Sequence, residues 1–227
     1  MRNRGDSMRL AEFKYWAEKR FCNPPFTGDF PTTGKYDFPQ LAQTNYFPET
    51  PVYSFNYIKS TVKKARYWYH CFTSEKYFHR LYNCFRDYVK LLRQAKGLIS
   101  ADFSLFRNYP EEILIENCRE NHLVDYALQQ EEIPIIPTAG FAGESSWEWC
   151  FDGLPKNFTM AITTNTLRDK EAHKLFVGGV NTMIAKIQPT AIVVCGKCHD
   201  CLPKRHSDIQ IVQIPNYSQM WHKRSKK

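Results

Sequence analysis

The sequence lacks any long apolar run and any of the common nucleotide or hydrolase signatures. No stretch approaches the roughly 20 apolar residues that cross a bilayer, and residues 1–6 have no apolar core of a signal peptide. We therefore expect a cytoplasmic protein without a membrane partner. The G-x-S-x-G, P-loop and G-x-G-x-x-G patterns are absent, and Gly178-Gly179 falls within a helical pattern. These absences argue against a P-loop NTPase and a Rossmann dehydrogenase.

The cysteines do not form the pattern of a disulfide-stapled secreted domain. In a cytoplasmic protein, the eight cysteines are expected to be thiols or metal ligands. Cys195, Cys198 and Cys201 are spaced by two residues, and they form a candidate tetrahedral zinc site with His206, His199 or a distant cysteine as the fourth ligand. There is no second C-x-x-C pair, and an iron–sulfur pattern lacks its remaining cysteine. Reduced loop thiols and a redox pair therefore stay as alternatives to zinc.

The composition is that of one globular domain with a basic balance. Hydrophobic residues make up 43% and aromatic residues 15% of the 227 residues. The formal charge of +8 comes from 31 Lys and Arg against 23 Asp and Glu, and much of the excess lies at the two ends. Such ends can attract phosphate backbones by counterion release, or they can simply favour solubility. Nucleic acid is therefore one candidate partner.

The hydrophobic pattern predicts an α/β fold with a mostly parallel sheet. We expect an open sheet or an incomplete barrel with flanking helices, and an aromatic, irregular N-terminal wrap packed on the main body. The predicted strands are 98–103, 133–137, 158–163, 191–195 and 209–214, and the predicted helices are 73–97, 110–130 and 170–187.

Several short segments together resemble the family known as domain of unknown function 4417. They are residues 35–39 (KYDFP), 70–72 (HCF), 99–105 (ISADFSL), 133–137 (IPIIP) and 150–155 (CFDGLP). The family recurs in phages, plasmids and other mobile elements of bacteria, so the resemblance implies an α/β fold and a bacterial host cell. It implies no reaction. We predict a basic and aromatic extension at 1–33, one α/β domain at 34–215 and a basic tail at 216–227.

The residues that follow each predicted strand form the candidate site, because the carboxyl ends of parallel strands meet at one edge of a sheet. Asp102 is a candidate general base or metal ligand, Ser104 is a further candidate catalytic residue, and Arg107 is a candidate holder of a phosphate or carboxylate. Alternatively, Asp102 only binds loop amides or pairs with Arg107. The candidate ligand-binding residues are Thr138, Trp147, Asp152, Thr164 and Asn165.

Two members of this set have a simpler structural interpretation that we favour. Trp147 belongs to a Trp-Glu-Trp segment that could stack on a base, but both rings could equally cover the core. Asp152 precedes Gly153, a pair typical of a turn.

Three hypotheses of function follow from these observations. The first is a mobile-element accessory protein that binds nucleic acid or a nucleotide at the strand ends. The second is a phage-type enzyme that acts on a phosphate-bearing substrate through Asp102, Ser104 and Arg107. The third is an interaction module that binds a host protein through the aromatic wrap.

Overall fold

The computed structural model describes residues 29–43, 45–48, 51–165, 167–198, 202 and 208–216. The strands in these ranges are β1 (Thr32–Thr33), β2 (Phe38–Pro39), β3 (Val52–Ser54), β4 (Trp68–His70), β5 (Gly97–Ile99), β6 (Ile135–Ile136), β7 (Thr159–Thr163), β8 (Ala191–Cys195) and β9 (Gln210–Ile214). The α-helices are α1 (Glu75–Phe78), α2 (Arg80–Asn83), α3 (Phe85–Leu92), α4 (Glu111–Gln130) and α5 (Lys170–Ile187). No helix in the described part is both long and apolar enough to span a bilayer.

Seven of these strands run parallel and follow one another in chain order. One sheet has the order β3-β4-β5-β6 and a second has the order β7-β8-β9. A parallel bridge between Thr138 and Ala161 connects β7 to the segment that follows β6. The strands of the described ranges do not close into a barrel, and β1 and β2 form a separate antiparallel pair. The predicted α/β fold with a mostly parallel sheet is confirmed.

The C-terminal half follows the hydrophobic pattern closely. Helix α5 has the predicted bounds, because the Asp169 side chain caps its first turn by accepting from the Ala172 amide at 2.7 Å. The helix ends at Gln188, whose φ of 53° is left-handed. Strand β8 also has the predicted bounds, and all five of its residues are buried.

The N-terminal third departs from the prediction. It was expected to be irregular until a helix at 73–97, but it contributes the parallel strands β3 and β4 to the sheet. The predicted helix is instead three short helices, with Cys84 between two of them at φ −129° and ψ 40°. Gly97 was predicted to end that helix, whereas it begins β5. A Cβ there would lie 2.4 Å from the Trp68 ring, so only glycine fits.

The sheet separates three clusters of buried side chains. One lies against α5 and the segment around Trp149, and a second lies between β3–β6 and the helices α1 to α4. The third contains side chains from both sheets, among them Val52, Ile99, Val193 and Ile214. Side chains from both sheets thus belong to this third cluster, which we call the inner cluster.

Candidate functional site

A cavity of about 800 Å³ lies at the carboxyl ends of the parallel strands. Its lining comes from residues 72–75 and 77 after β4, 102 and 104–107 after β5, and 138–142 after β6. The end of β7, the first turns of α5 and Asn216 after β9 complete it. A single edge of the sheet therefore brings together segments that lie more than 140 residues apart, as expected for ligand sites of parallel α/β folds.

Asp102 places an ionisable carboxyl in the cavity wall. Burial raises its pKa to about 7, and the neighbouring Glu75 carboxylate adds to this shift by repulsion. Burial also raises the pKa of the Cys195 thiol, and the charge of Asp102 contributes to that shift. Asp102 thus lies between the cavity and the inner cluster, and it exchanges its proton near neutral pH.

Backbone hydrogen bonds fix Ser104 and Glu75 against each other. The Ser104 amide donates to Oε1 of Glu75 at 2.7 Å, and the Ser104 carbonyl accepts from Nδ2 of Asn117 at 2.7 Å. Asn117 is a buried residue of α4, so this helix positions the loop after β5. The arrangement also holds the Glu75 carboxylate near Asp102.

A second buried network positions Thr138. The Ser100 hydroxyl donates to Oδ2 of Asp125 at 2.7 Å, and the Thr138 amide donates to the Ser100 hydroxyl at 3.3 Å. Burial raises the pKa of Asp125 well above its ordinary range. These hydrogen bonds tie the ends of β5 and β6 to α4.

Arg107 lies at the rim of the cavity and pairs with α5 and its cap. Its guanidinium contacts Oδ2 of Asp169 at 3.2 Å and Oε2 of Glu171 at 3.0 Å. The alternative pairing of Arg107 with Asp102 is therefore not what the structure contains. Because the Arg107 side chain is 43% exposed, these ion pairs are screened by water and exchange readily.

Aromatic and aliphatic side chains form most of the remaining wall. The aromatic members are Phe72, Tyr77, Phe106, Tyr109, Phe141 and Phe176. Tyr77 and Phe106 are 37% and 36% exposed, which is unusual for large apolar side chains in this protein. Phe106 packs edge to face on Tyr109, with ring centroids 5.2 Å apart. The cavity therefore has a partly exposed aromatic rim.

The residues at the end of β7 and just after it differ in whether they line the cavity. Asn165 lines the cavity, and its Oδ1 accepts from Nδ2 of Asn216 at 3.0 Å. Thr164 lies outside the lining, where its hydroxyl donates to the Lys197 carbonyl at 2.9 Å. Thr163, which the sequence did not single out, lines the cavity in its place.

Trp147 and Asp152 also lie outside the cavity lining. The Trp147 ring packs on α5 at Gly178, where a Cβ would lie 2.3 Å from the ring. Asp152 lies in a turn in which its amide donates to the Trp149 carbonyl at 2.9 Å, and Gly153 follows with a φ of 85°. Both placements agree with the structural interpretation that we favoured.

The cysteine segment is described only in part. Cys195 is fully buried in the inner cluster, whereas Cys198 packs against the cluster beside α5. Cys201 and His206 lie outside the described residues. Within the described ranges, no three His, Cys, Asp or Glu side chains form a group that could hold a metal ion. The zinc site stays a prediction.

Sequence reasoning missed five polar residues of the cavity: Thr73, Ser74, Glu75, Thr163 and Asn216. Glu75 follows β4, a strand that the pattern did not reveal, and it lies within the predicted helix at 73–97. Thr163 was the last residue of a predicted strand, one position before the predicted ligand-binding pair. Asn216 is the second residue after β9, and the rule of strand ends would have found it had it been applied to this strand.

Comparisons with known proteins place this architecture in a family. The chain is 24% identical over 199 residues to the Gene 1 protein of Mycobacterium phage L5, covering 87% of this chain and 85% of that protein. It is 23% identical over 199 residues to the Gene 1 protein of Mycobacterium phage D29, covering 87% and 72%. No solved structure matches the chain. The model of the domain of unknown function DUF4417 matches residues 30–215, and the chain therefore belongs to this phage-associated family.

Proposed function

We propose that this phage-related protein binds a nucleoside or a mononucleotide in the cavity at the strand ends. The observation that carries the proposal is the combination, in one cavity, of aromatic walls with a partly buried carboxyl whose pKa is raised to about 7. A volume of about 800 Å³ lies within the range of small-molecule sites, which is about 300–1,000 Å³.

The aromatic rim supports a planar ligand. Exposed aromatic rings at the mouth of a cavity offer faces on which a nucleobase can stack, and each stacked base contributes about 1–3 kcal/mol. Tyr77 and Phe106 have this exposure, and Phe106 is braced by Tyr109. A ligand without a planar ring would leave this apolar surface in water.

The carboxyl of Asp102 supports a nucleobase rather than a hydrocarbon ring. When protonated, it presents a hydrogen-bond donor beside an acceptor, and when ionised it presents two acceptors. Nucleobase edges carry adjacent donors and acceptors that match one or the other form. Thr138, Thr163 and Asn165 add uncharged hydrogen-bonding groups around it.

The charge of the cavity supports a small ligand rather than a nucleic-acid strand. Among the described residues that line the cavity, Arg107 is the single Lys or Arg, and it already contacts two carboxylates. Binding a strand requires several cations along the phosphate backbone. The basic ends of the chain, which lie outside the described residues, remain the candidate for nucleic-acid binding.

Calorimetric titration of the full chain with nucleosides, nucleoside monophosphates and nucleoside triphosphates tests the proposal. We expect saturable binding of at least one nucleoside or monophosphate, and weaker binding of its triphosphate. Asp102→Leu should weaken binding tenfold or more, because leucine offers neither a hydrogen-bond donor nor an acceptor. Asp87→Leu is the matched control, since Asp87 is exposed on α3 and pairs with Lys90. Equal affinities of the two variants, or no binding of any compound, would refute the proposal.

An acid–base enzyme is the second candidate, and one observation favours it. A carboxyl with a pKa near 7 can both take and give a proton at physiological pH. In this alternative Asp102 exchanges the proton, the Ser104 segment positions it, and Arg107 holds a phosphate of the substrate. Turnover of a bound nucleotide that disappears in Asp102→Asn, followed by phosphate-sensitive NMR, would distinguish an enzyme from a binding protein.

The aromatic wrap gives less support to a host-protein partner. Phe38 and Phe55 are fully buried, and Tyr36 packs against Trp149 with ring centroids 5.7 Å apart. These rings are used by the fold itself, which leaves Tyr46, at 39% exposed, as the main accessible ring of the described wrap. We infer a location in the cytoplasm of the bacterial host, because the relatives are phage proteins.

A further inference from the structure

Two polar side chains are completely buried in the inner cluster, outside the lining of the cavity. Ser54 ends β3 and His70 ends β4, and both are 0% exposed. Their Cα atoms are direct partners in the parallel ladder, and Ile99 and Ile136 continue the same row across β5 and β6. Ser54 and His70 therefore lie side by side in a row that is otherwise apolar.

Neither side chain has its hydrogen bonds satisfied by the described residues. Oγ of Ser54 and both ring nitrogens of His70 are buried without a hydrogen-bond partner. Leaving three such groups without water or a partner costs free energy that two apolar residues would not cost. A polar group of a ligand placed beside them would remove this cost.

The pair lies one layer of side chains away from the cavity. Phe72 follows His70 by two residues, and the centroids of the two rings are 6.0 Å apart. Phe72 lines the cavity and is itself 2% exposed. The Phe72 ring therefore lies between the cavity and His70, and Ser54 lies beside His70 in the ladder.

We propose that Ser54 and His70 form an inner subsite of the cavity, closed by the Phe72 ring, that binds hydroxyl groups of the ligand's sugar. A neutral imidazole offers one donor and one acceptor, and the serine hydroxyl offers both. Burial lowers the pKa of His70 to about 4, so the imidazole is neutral at physiological pH and favours an uncharged group over a phosphate. A vicinal diol such as that of ribose carries two groups that both donate and accept. This inference rests on the proposed nucleoside site and extends it.

The test compares adenosine, 2′,3′-dideoxyadenosine and D-ribose as probes of the full chain. Binding is measured by calorimetry, and the His70 imidazole is observed by ¹⁵N NMR. We expect dideoxyadenosine to bind at least tenfold more weakly than adenosine, and ribose alone to shift the His70 resonances. We expect His70→Leu to abolish the difference between the two nucleosides while raising the melting temperature. Ile136→Val, in the same row, is the matched control and should retain the difference.

The outcomes separate this inference from the proposed function. Equal binding of the two nucleosides to the unaltered protein would overturn the inner subsite and leave the nucleoside site standing. If neither nucleoside binds, adenosine is not the ligand of the nucleoside site, and the ribose experiment still decides the subsite. His70 resonances that do not respond to ribose would then overturn it, and a saturable response would support it as a sugar site.

Discussion

The raised pKa of Asp102 predicts a specific dependence of stability on pH. The folded protein keeps a proton on Asp102 up to about pH 7, whereas the unfolded chain releases it near the ordinary value of 3.8. Unfolding therefore releases a proton between these values, and the contribution of this group to the free energy of unfolding falls by about 1.4 kcal/mol per pH unit. Over roughly three units this amounts to about 4 kcal/mol, which is present below pH 4 and lost by pH 7.

The substitution Asp102→Asn isolates this contribution from those of other groups. Burial lowers the pKa of His70 and His122 to about 4. Their contribution to the free energy of unfolding therefore changes in the opposite direction, because it is lost as the pH falls from 6.5 to 4. Their effects cancel when the variant is compared with the unaltered protein at each pH. Relative to that protein, Asp102→Asn should gain about 4 kcal/mol between pH 4 and pH 7.5.

Urea unfolding followed by circular dichroism at half-unit pH intervals measures this difference. Asp87→Asn serves as the control for the removal of a carboxylate, because the Asp87 side chain is 74% exposed and its ion pair with Lys90 is screened by water. A constant difference between Asp102→Asn and the unaltered protein from pH 4 to pH 7.5 would refute the raised pKa of Asp102.

Three further predictions concern other parts of the chain. Gly178→Ala places a Cβ about 2.3 Å from the Trp147 ring and should lower the free energy of unfolding by about 1–3 kcal/mol. Gly143→Ala is the control and should not lower it, because the space around Gly143 is open. Urea unfolding of both variants measures the difference. If the cysteine segment binds zinc, elemental analysis should find about one ion per chain and Cys198→Ser should release it; no zinc would leave ordinary thiols. Deleting 223–227 should reduce the salt dependence of DNA binding, and an unchanged slope in fluorescence anisotropy would exclude the tail.

The fold could be predicted from sequence where one residue pattern decided the structure. Strand β8 is a continuous apolar run and α5 carries its own cap at Asp169, so both were located to the residue. Strands β3 and β4 are three residues each, and their sequences Val-Tyr-Ser and Trp-Tyr-His mix apolar and polar groups. These strands form only by pairing with segments further along the chain: β3 pairs with β4, and β4 pairs with β5. A local pattern cannot contain that information.

In the candidate site, too, local patterns predicted some residues, and contacts between distant parts of the chain determined the rest. The rule that ligands bind at strand ends found Asp102, Ser104, Arg107 and Thr138, because it requires only the ends of recognised strands. It missed Glu75, since the preceding strand was not recognised. It also could not anticipate that Arg107 pairs with Asp169 and Glu171, because this contact joins residues 62 and 64 positions apart.

That contact determines how a phosphate would bind. Asp169 caps α5 through the Ala172 amide, and its carboxylate also contacts Arg107, so both sources of positive potential at the rim already hold an anion. A ligand phosphate would have to displace a carboxylate rather than fill an empty site, and the exchange yields little net free energy. Affinity should therefore come from the base and sugar, with one phosphate adding little and further phosphates meeting the Glu171 carboxylate at close range. The rim thus favours nucleosides and monophosphates over triphosphates.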